Sequence, residues 1–141
     1  MKKIVLGIVL FFSSFLYGEV LHSAKAVIDT QAKLMWQDDE EVKVQEDITL
    51  AKVYCETLIL NGYDDWYLPS IKQLQGIVDI ENKKVALDKV FRFYQKKKYW
   101  SDTPYIEDDL LHWYVDFSTG KSNYMDQNEK NNIRCVRDMN D

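Results

Sequence analysis

The stretch Gly62-Tyr63-Asp64-Asp65-Trp66-Tyr67-Leu68-Pro69-Ser70 decides the fold, because it joins two predicted helices through one predicted strand. Gly62 adopts a left-handed backbone without a Cβ penalty, so the preceding helix is predicted to end near Leu60. Asp64 and Asp65 suit a turn, since short carboxylates bond to nearby backbone amides. Residues 66–68 predict an aromatic strand that ends at Pro69, which donates no ladder hydrogen bond.

Helices are predicted on both sides of this stretch. Ser70 and Gln73 form a capping-box pattern, which predicts a second helix that continues to about Val78. Its buried face is formed by Leu74, Ile77 and Val78. The first helix is predicted from Ile48 to Leu60, with Asp47 as its N-cap. Helical spacing places on its buried face Ile48, Ala51, Cys55, Leu58 and Ile59.

Strands are predicted before and after the helical region. An N-terminal hairpin is predicted from residues 26–29 and 34–37. Residues 111–117 alternate cleanly, with Leu111, Trp113, Val115 and Phe117 on one face. The turn at 118–121 leads to a partner strand, and a last strand, 133–137, carries Cys135. The sequence therefore predicts two helices together with several strands and hairpins.

The first eighteen residues have the pattern of an export signal. Lys2 and Lys3 precede an apolar run over residues 4–12, and the segment ends at Gly18. A retained membrane anchor is the alternative, but the run is shorter than the roughly 20 residues that a spanning helix needs. We expect a cleaved signal peptide at 1–18, a single domain at 19–141 and a periplasmic or secreted location.

The charge of the chain excludes some partners. Without residues 1–18 the chain carries 16 basic and 23 acidic side chains, a formal charge of −7. This excess of acid argues against nucleic acid as a partner, since binding to phosphates requires basic side chains. No later stretch is apolar enough to cross a bilayer, so no stable membrane span is expected after signal cleavage.

Two cysteines remain after the predicted signal peptide, Cys55 and Cys135. An even cysteine count in an exported chain predicts a disulfide. This bond would close a loop of about 80 residues and stabilise the fold by about 4 kcal/mol in the chain-entropy model. Two reduced thiols or a thiol catalyst are the alternatives.

Charged runs offer two candidate sites, each with a plainer interpretation. The run 38–41 is acidic and typical of a solvated loop; a cation site would need ligands from other loops. Lys96-Lys97-Lys98 beside Tyr99-Trp100 is typical of a solvated turn before a strand. The alternative for the lysines is a site for an anionic polymer or a sugar ring. The polar loop 126–132 lacks the EF-hand spacing, so no metal site is predicted.

Six separated motifs together resemble the Lcl C-terminal domain family, whose members include the end of a Legionella collagen-like adhesin. The resemblance covers nearly all of the chain after the signal peptide. It rests on these residues: Asp29-Thr30 with Leu34-Met35-Trp36; Ala51 with Cys55; Asp64-Asp65-Trp66-Tyr67-Leu68-Pro69; Tyr99-Trp100-Ser101-Asp102-Thr103; Trp113-Tyr114-Val115-Asp116-Phe117 with Gly120; and Arg134-Cys135-Val136-Arg137.

The resemblance implies an α+β, C-type lectin-like fold with two helices flanking antiparallel strands and hairpins. It also implies that Cys55 and Cys135 are the family's cysteine pair. The chain departs from the family at two positions. Tyr67 stands where the family has arginine in Trp-Arg-Leu-Pro, and Asp102 stands where a second serine is common.

A non-catalytic binding module is the first functional hypothesis, with a glycan or an envelope protein as partner. Sugar rings stack on exposed aromatics, and carboxylates or amides bond their hydroxyls. The candidate binding residues are Trp100, Tyr105, Tyr114, Asp116, Asn123 and Tyr124. Burial of these aromatics in the core is the alternative. The Glu-Pro-Asn and Gln-Pro-Asp motifs of calcium-dependent lectins are absent, so neither calcium nor another cofactor is predicted.

Two further hypotheses come from other classes. A glycoside hydrolase would need one suitably spaced carboxylate pair, such as Asp64 with Asp116, but acids are too plentiful to single out a pair. His22 and His112 do not complete a catalytic triad or a zinc site, so we do not expect an enzyme. A structural envelope component that only docks to other proteins is the remaining alternative.

Overall fold

The computed structural model describes residues 20–140. The predicted signal peptide lies outside the described residues. Residues 20–140 contain two helices, α1 (Ile48–Thr57) and α2 (Ile71–Gln75), together with a short 3-10 helix at Glu40–Lys43. The described part of the chain has nine strands, in chain order β1 (Val20–Ser23), β2 (Ala26–Asp29), β3 (Leu34–Gln37), β4 (Gln45–Glu46), β5 (Lys98–Tyr105), β6 (Asp108–Asp116), β7 (Lys121–Asp126), β8 (Asn131–Asn132) and β9 (Val136–Asp138).

The strands form two sheets with different roles. The first has the order β1-β2-β3-β9, all antiparallel, and includes the predicted N-terminal hairpin as β2 and β3. The second has the order β4-β8-β5-β6-β7, in which β8 pairs with β5 in parallel and the other pairs are antiparallel. The long β5–β6–β7 meander carries the candidate binding residues.

Helix α1 follows its prediction at the start and departs from it at the end. The Asp47 carboxylate accepts a hydrogen bond from the Leu50 N–H at 2.9 Å, so the predicted N-cap is confirmed. The helix ends at Thr57 because Leu58 is extended. Ile59 therefore leaves the helical face and is 78% exposed, which makes its predicted burial wrong.

The stretch from Gly62 to Ser70 turns as predicted but forms less strand. Gly62 has φ +83°, which is the left-handed backbone that glycine permits. Tyr67 exchanges two backbone hydrogen bonds with Val136, at 2.8 and 2.9 Å, so the predicted strand is reduced to a single bridge. Both bonds of the Ser70–Gln73 capping box are present. Helix α2 ends at Gln75, three residues before its predicted end.

A disulfide joins the two halves of the chain. Cys55 on α1 is bonded to Cys135, 80 residues later and immediately before β9. Both residues are fully buried, and they pack with Trp66, Trp100 and Ile133 in one of two core clusters. The other cluster lies around Trp36, Leu74, Tyr99 and Phe117. The predicted α+β class, the two helices, the antiparallel sheets and the disulfide are confirmed.

Candidate functional site

The structure separates the predicted binding residues by burial. Trp100 is fully buried, and its indole Nε1 donates a hydrogen bond to the Glu46 carbonyl at 2.8 Å. Tyr114 is also buried, in the same core cluster. Both faces of the sheet are covered at these positions, so neither ring has a face on which a sugar can stack. Trp100 and Tyr114 therefore lie in the core, as the alternative interpretation of these aromatics has it, and not on a binding surface.

The remaining candidates lie on opposite faces of the meander. Residues directly opposite each other on antiparallel strands share a face. Tyr114 lies opposite Asn123, and Asp116 lies opposite Lys98 and Lys121. On the other face, Tyr124 lies opposite Trp113, which contacts Tyr105.

A cleft of about 290 Å³ opens on the face of Asp116; we call it the lysine cleft. The exposed Lys96 and Lys97 and the half-buried Lys98 form much of its wall. Lys98 also covers the Tyr114 ring, with Nζ 5.0 Å from the ring centroid. The cleft is lined by Gln45, Lys96, Lys97, Lys98, Asp116, Ser118, Asn131 and Asn132. Asp116 is thus the predicted binding residue that lies in the cleft itself.

Buried amides fix the floor of the lysine cleft. Asn132 is fully buried and donates hydrogen bonds to the Val42 carbonyl at 3.2 Å and to Gln95 Oε1 at 2.7 Å. Its own Oδ1 accepts from Gln45 Nε2 at 2.8 Å. These bonds join β4, β8 and the segment before the lysines. The cleft is therefore held by packing rather than formed by mobile side chains alone.

A tight hairpin turn fixes the other wall. Asp116 Oδ1 accepts hydrogen bonds from the Ser118 N–H at 2.9 Å and from the Ser118 hydroxyl at 2.6 Å. Gly120 has φ +80°, and a Cβ there would lie 2.9 Å from Val78 Cγ1. Glycine is therefore required at position 120 both because the backbone is left-handed and because a Cβ atom would clash with Val78.

The basic surface extends beyond the lysine cleft. An adjoining groove of about 240 Å³ shares Lys96 and Ser118 with the cleft and adds Lys83 and Lys84. Residues 83–98 contain seven basic and one acidic side chain, a charge of +6, whereas the whole chain has a charge of −5. Lys96–Lys98 were predicted as a separate basic cluster. The basic excess over the longer segment 83–98 is the sequence signal that reveals the wider surface.

An interior ion pair positions the segment that carries these lysines. Asp38 is fully buried, so the prediction that residues 38–41 form a solvated loop is wrong for this residue. Its carboxylate lies 3.3 Å from Arg134 Nη1 and accepts hydrogen bonds from the backbone N–H groups of Arg92 and Phe93, both at 3.0 Å. Burial lowers the pKa of Arg134, while Tyr99 and Asp38 oppose that shift.

Three aromatic rings form a second surface, at the far end of the meander. Tyr105 and Tyr124 stack in parallel, with ring centroids 4.0 Å apart, and Trp113 meets Tyr124 edge-on at 5.3 Å. Hydrogen bonding to Tyr124 and Glu107 raises the pKa of Tyr105 to about 12. Asn123 is exposed on the opposite face and accepts a hydrogen bond from the Tyr124 N–H. The structure therefore unites Tyr105 and Tyr124 but places Asp116 and Asn123 elsewhere.

The described residues contain neither a cluster suited to a metal ion nor a helix suited to spanning a membrane. Within residues 20–140, no group of three or more His, Cys, Asp or Glu side chains is arranged to hold a metal ion. No helix in that range combines the length and the apolar character needed to cross a bilayer.

These features define an α+β domain with one buried disulfide and a basic cleft on its longer sheet. The chain belongs to the Lcl C-terminal domain family, whose sequence model matches residues 25–137. No curated protein matches the chain. The match of the family model confirms the resemblance inferred from the six motifs.

The two departures from the family motifs have local partners in the structure. The Tyr67 hydroxyl donates to Asp138 Oδ1 at 2.5 Å and accepts from Gln73 Nε2 at 2.9 Å. Asp102 forms an exposed ion pair with Lys52 Nζ at 2.9 Å. Both side chains therefore serve structural contacts in this chain.

Proposed function

We propose that this protein is an exported, non-catalytic binding module that holds an acidic glycan in the lysine cleft and the adjoining groove. The observation that carries this proposal is the continuity of the basic surface. The two depressions share Lys96 and Ser118, and together they are lined by Lys83, Lys84, Lys96, Lys97 and Lys98. A basic excess concentrated on one surface of an acidic protein favours an anionic ligand.

The donor set fits a sugar polymer better than a small free anion. Ammonium groups pair with sulfate, phosphate or carboxylate groups, while amide and hydroxyl groups bond to sugar hydroxyls. Gln45 and Ser118 lie beside the lysines and supply such neutral groups. Because all of these lysines except the half-buried Lys98 are exposed, their attraction for the glycan should weaken with salt.

The proposal includes the C-type lectin-like fold that the family resemblance implies, but not calcium-dependent sugar binding. The lysine cleft contains a single carboxylate, that of Asp116, and this group already accepts two hydrogen bonds from Ser118. A calcium site takes six to eight oxygen ligands, usually including several carboxylates. Binding should therefore persist when calcium is chelated.

A glycan array tests this function. The protein, with its disulfide intact, is applied at low and at physiological salt, with and without a calcium chelator. We expect saturable binding to acidic glycans that survives chelation and weakens as salt rises. Binding that requires calcium, or a preference for neutral glycans, would contradict the proposed mode.

Docking to an envelope protein is the second candidate function. The observation in its favour is the tip of the β5–β6 hairpin, where Ile106 is 95% exposed and Leu110 is 55% exposed. A blank glycan array from folded protein would favour this function. Co-purification with a single envelope protein, lost on Ile106→Asp, would support it directly.

A further inference from the structure

The tip of the β5–β6 hairpin combines exposed apolar groups with acid. Ile106 and Leu110 point into solvent next to the stacked Tyr105 ring. Glu107, Asp108 and Asp109 lie between the two aliphatic residues and are all exposed. We call residues 105–110 the acidic tip. Apolar side chains held in solvent at a hairpin tip, within an acidic rim, suit a partner surface that is both apolar and basic.

The same chain carries a surface of that kind. A hollow of about 580 Å³, larger than the lysine cleft and the adjoining groove, lies on the connection between α2 and β5. Phe91 and a 37% exposed Tyr94 give it an aromatic wall. Its other lining residues are mostly basic: Lys83, Lys84 and Lys89, with Asn82 and Glu81. We call this depression the aromatic hollow.

The acidic tip and the aromatic hollow lie at opposite ends of β5. The hollow shares Asn82, Lys83 and Lys84 with the groove that Lys96 lines, just before β5 begins at Lys98. The tip begins at Tyr105, where β5 ends. At about 3.3 Å per residue, the strand separates the two by roughly 23 Å. The tip therefore cannot fold back onto the hollow of its own chain.

We propose that the acidic tip of one copy docks into the aromatic hollow of a second copy. Ile106 would enter the depression beside Phe91 and Tyr94, while Glu107, Asp108 and Asp109 would face Lys83, Lys84 and Lys89. The acidic tip therefore matches the aromatic hollow in two ways, since apolar groups face aromatic groups and carboxylates face lysines. Both surfaces belong to this chain. Because the two surfaces differ, the contact is head-to-tail, and it continues from copy to copy unless a ring closes.

Sedimentation velocity on protein expressed from the full-length sequence tests this contact. We expect the average mass to rise with protein concentration up to about 1 mM, a range that detects weak contacts, and to fall with added salt. A tip variant, Ile106→Asp, and a hollow variant, Tyr94→Ser with Lys84→Glu, should each remain monomeric. Ile59→Asp is the matched control, since Ile59 is also exposed and apolar but lies outside both surfaces; it should associate like the parent.

Mixing the two variants gives the decisive result. The tip variant keeps an intact hollow, and the hollow variant keeps an intact tip, so an equimolar mixture should form dimers and nothing larger. A mixture that stays monomeric, or a parent protein of constant monomeric mass, would overturn the proposal. Unchanged thermal melting of each variant shows that its loss of association is not unfolding. The sedimentation experiment contains no glycan, so a lack of self-association would not contradict the proposed glycan binding. In the same way, a blank glycan array would not contradict the proposed contact between copies.

Discussion

Arg134 Nη1 lies 3.3 Å from Asp38 Oδ1, and both side chains are completely buried. The arginine also donates to the Gln37 carbonyl and to the Phe93 carbonyl, and its guanidinium lies 4.6 Å from the Phe91 ring centroid. The pair thus joins the end of β3, the segment before β5 and the segment before β9. It connects the core to the surface that carries the lysines.

Removing one partner of this pair should strongly destabilise the fold. Asp38→Asn or Arg134→Met leaves the other charge buried without its counter-ion, at a cost of about 3–5 kcal/mol. Equilibrium unfolding in denaturant measures the loss. Lys52→Ala is the control, because its pair with Asp102 is exposed and worth at most about 1 kcal/mol. An Asp38→Asn cost as small as that of the control would contradict this account.

The disulfide should contribute most of its stability through the unfolded chain. Replacing both Cys55 and Cys135 by alanine releases an 80-residue constraint and should cost about 4 kcal/mol. Comparing the free energies of unfolding of parent and variant tests this value. Unfolding in the presence of reductant should lower the free energy of unfolding of the parent and leave that of the variant unchanged. If reductant does not change the free energy of unfolding of the parent, the disulfide is contradicted.

Stability should fall on mild acidification because of His112. Its Nδ1 is buried and has no hydrogen-bond partner among the described residues, and burial, followed by the charge of Lys52, lowers its pKa. The unfolded chain therefore binds this proton more readily than the folded chain. The stability that the folded protein gains from keeping His112 neutral is fully present above the ordinary histidine pKa of about 6.5. This stability is lost as the pH falls from there through the lowered pKa of the folded protein.

The free energy of unfolding, measured between pH 7 and pH 5 in the parent and in His112→Gln, separates the contribution of His112 from that of other titrating groups. The parent should lose stability over that range, and the variant should lose less. Equal slopes in both proteins would show that His112 does not carry the dependence.

The two left-handed glycines should differ in their tolerance of alanine. Gly120→Ala places a Cβ 2.9 Å from Val78 and 3.1 Å from Ile80, in addition to the strain of φ +80°. Gly62→Ala meets no atom within 4 Å and bears only the backbone strain, about 1–2 kcal/mol. The melting temperature of Gly120→Ala should therefore fall further. A lower melting temperature for Gly62→Ala than for Gly120→Ala would show that the turn at Gly120 shifts to relieve the contacts with Val78 and Ile80.

Local rules predicted the features that depend on neighbours in sequence. The Asp47 cap, the Ser70–Gln73 capping box, the turn at Gly62 and the β2–β3 hairpin each need only a few adjacent residues. The disulfide and the family also followed from the sequence, because two cysteines allow one pairing and six motifs occur in register.

The features that sequence reasoning missed depend on distant residues. Asp38 is buried because Arg134, 96 positions later, neutralises it. Trp100 is buried because elements pack on both faces of β5, which alternation along one strand cannot show. Lys83 and Lys84 join Lys96 only through the path of the chain between α2 and β5. The candidate site was therefore predicted in part: Asp116 was among the predicted binding residues and Lys96–Lys98 was an alternative site, but Lys83 and Lys84 were not connected with them.

The affinity of lysine-cleft variants for an acidic glycan shows whether the lysine cleft is the binding site. The preferred glycan from the array is titrated into the parent, into Lys96→Glu with Lys97→Glu, and into Lys25→Glu with Lys72→Glu. The last pair makes the same change in net charge at exposed lysines outside the cleft. We predict that the cleft pair weakens binding at least about tenfold, roughly 1.4 kcal/mol, and the control pair much less. Equal weakening by both pairs would show that overall charge, and not the lysine cleft, attracts the glycan.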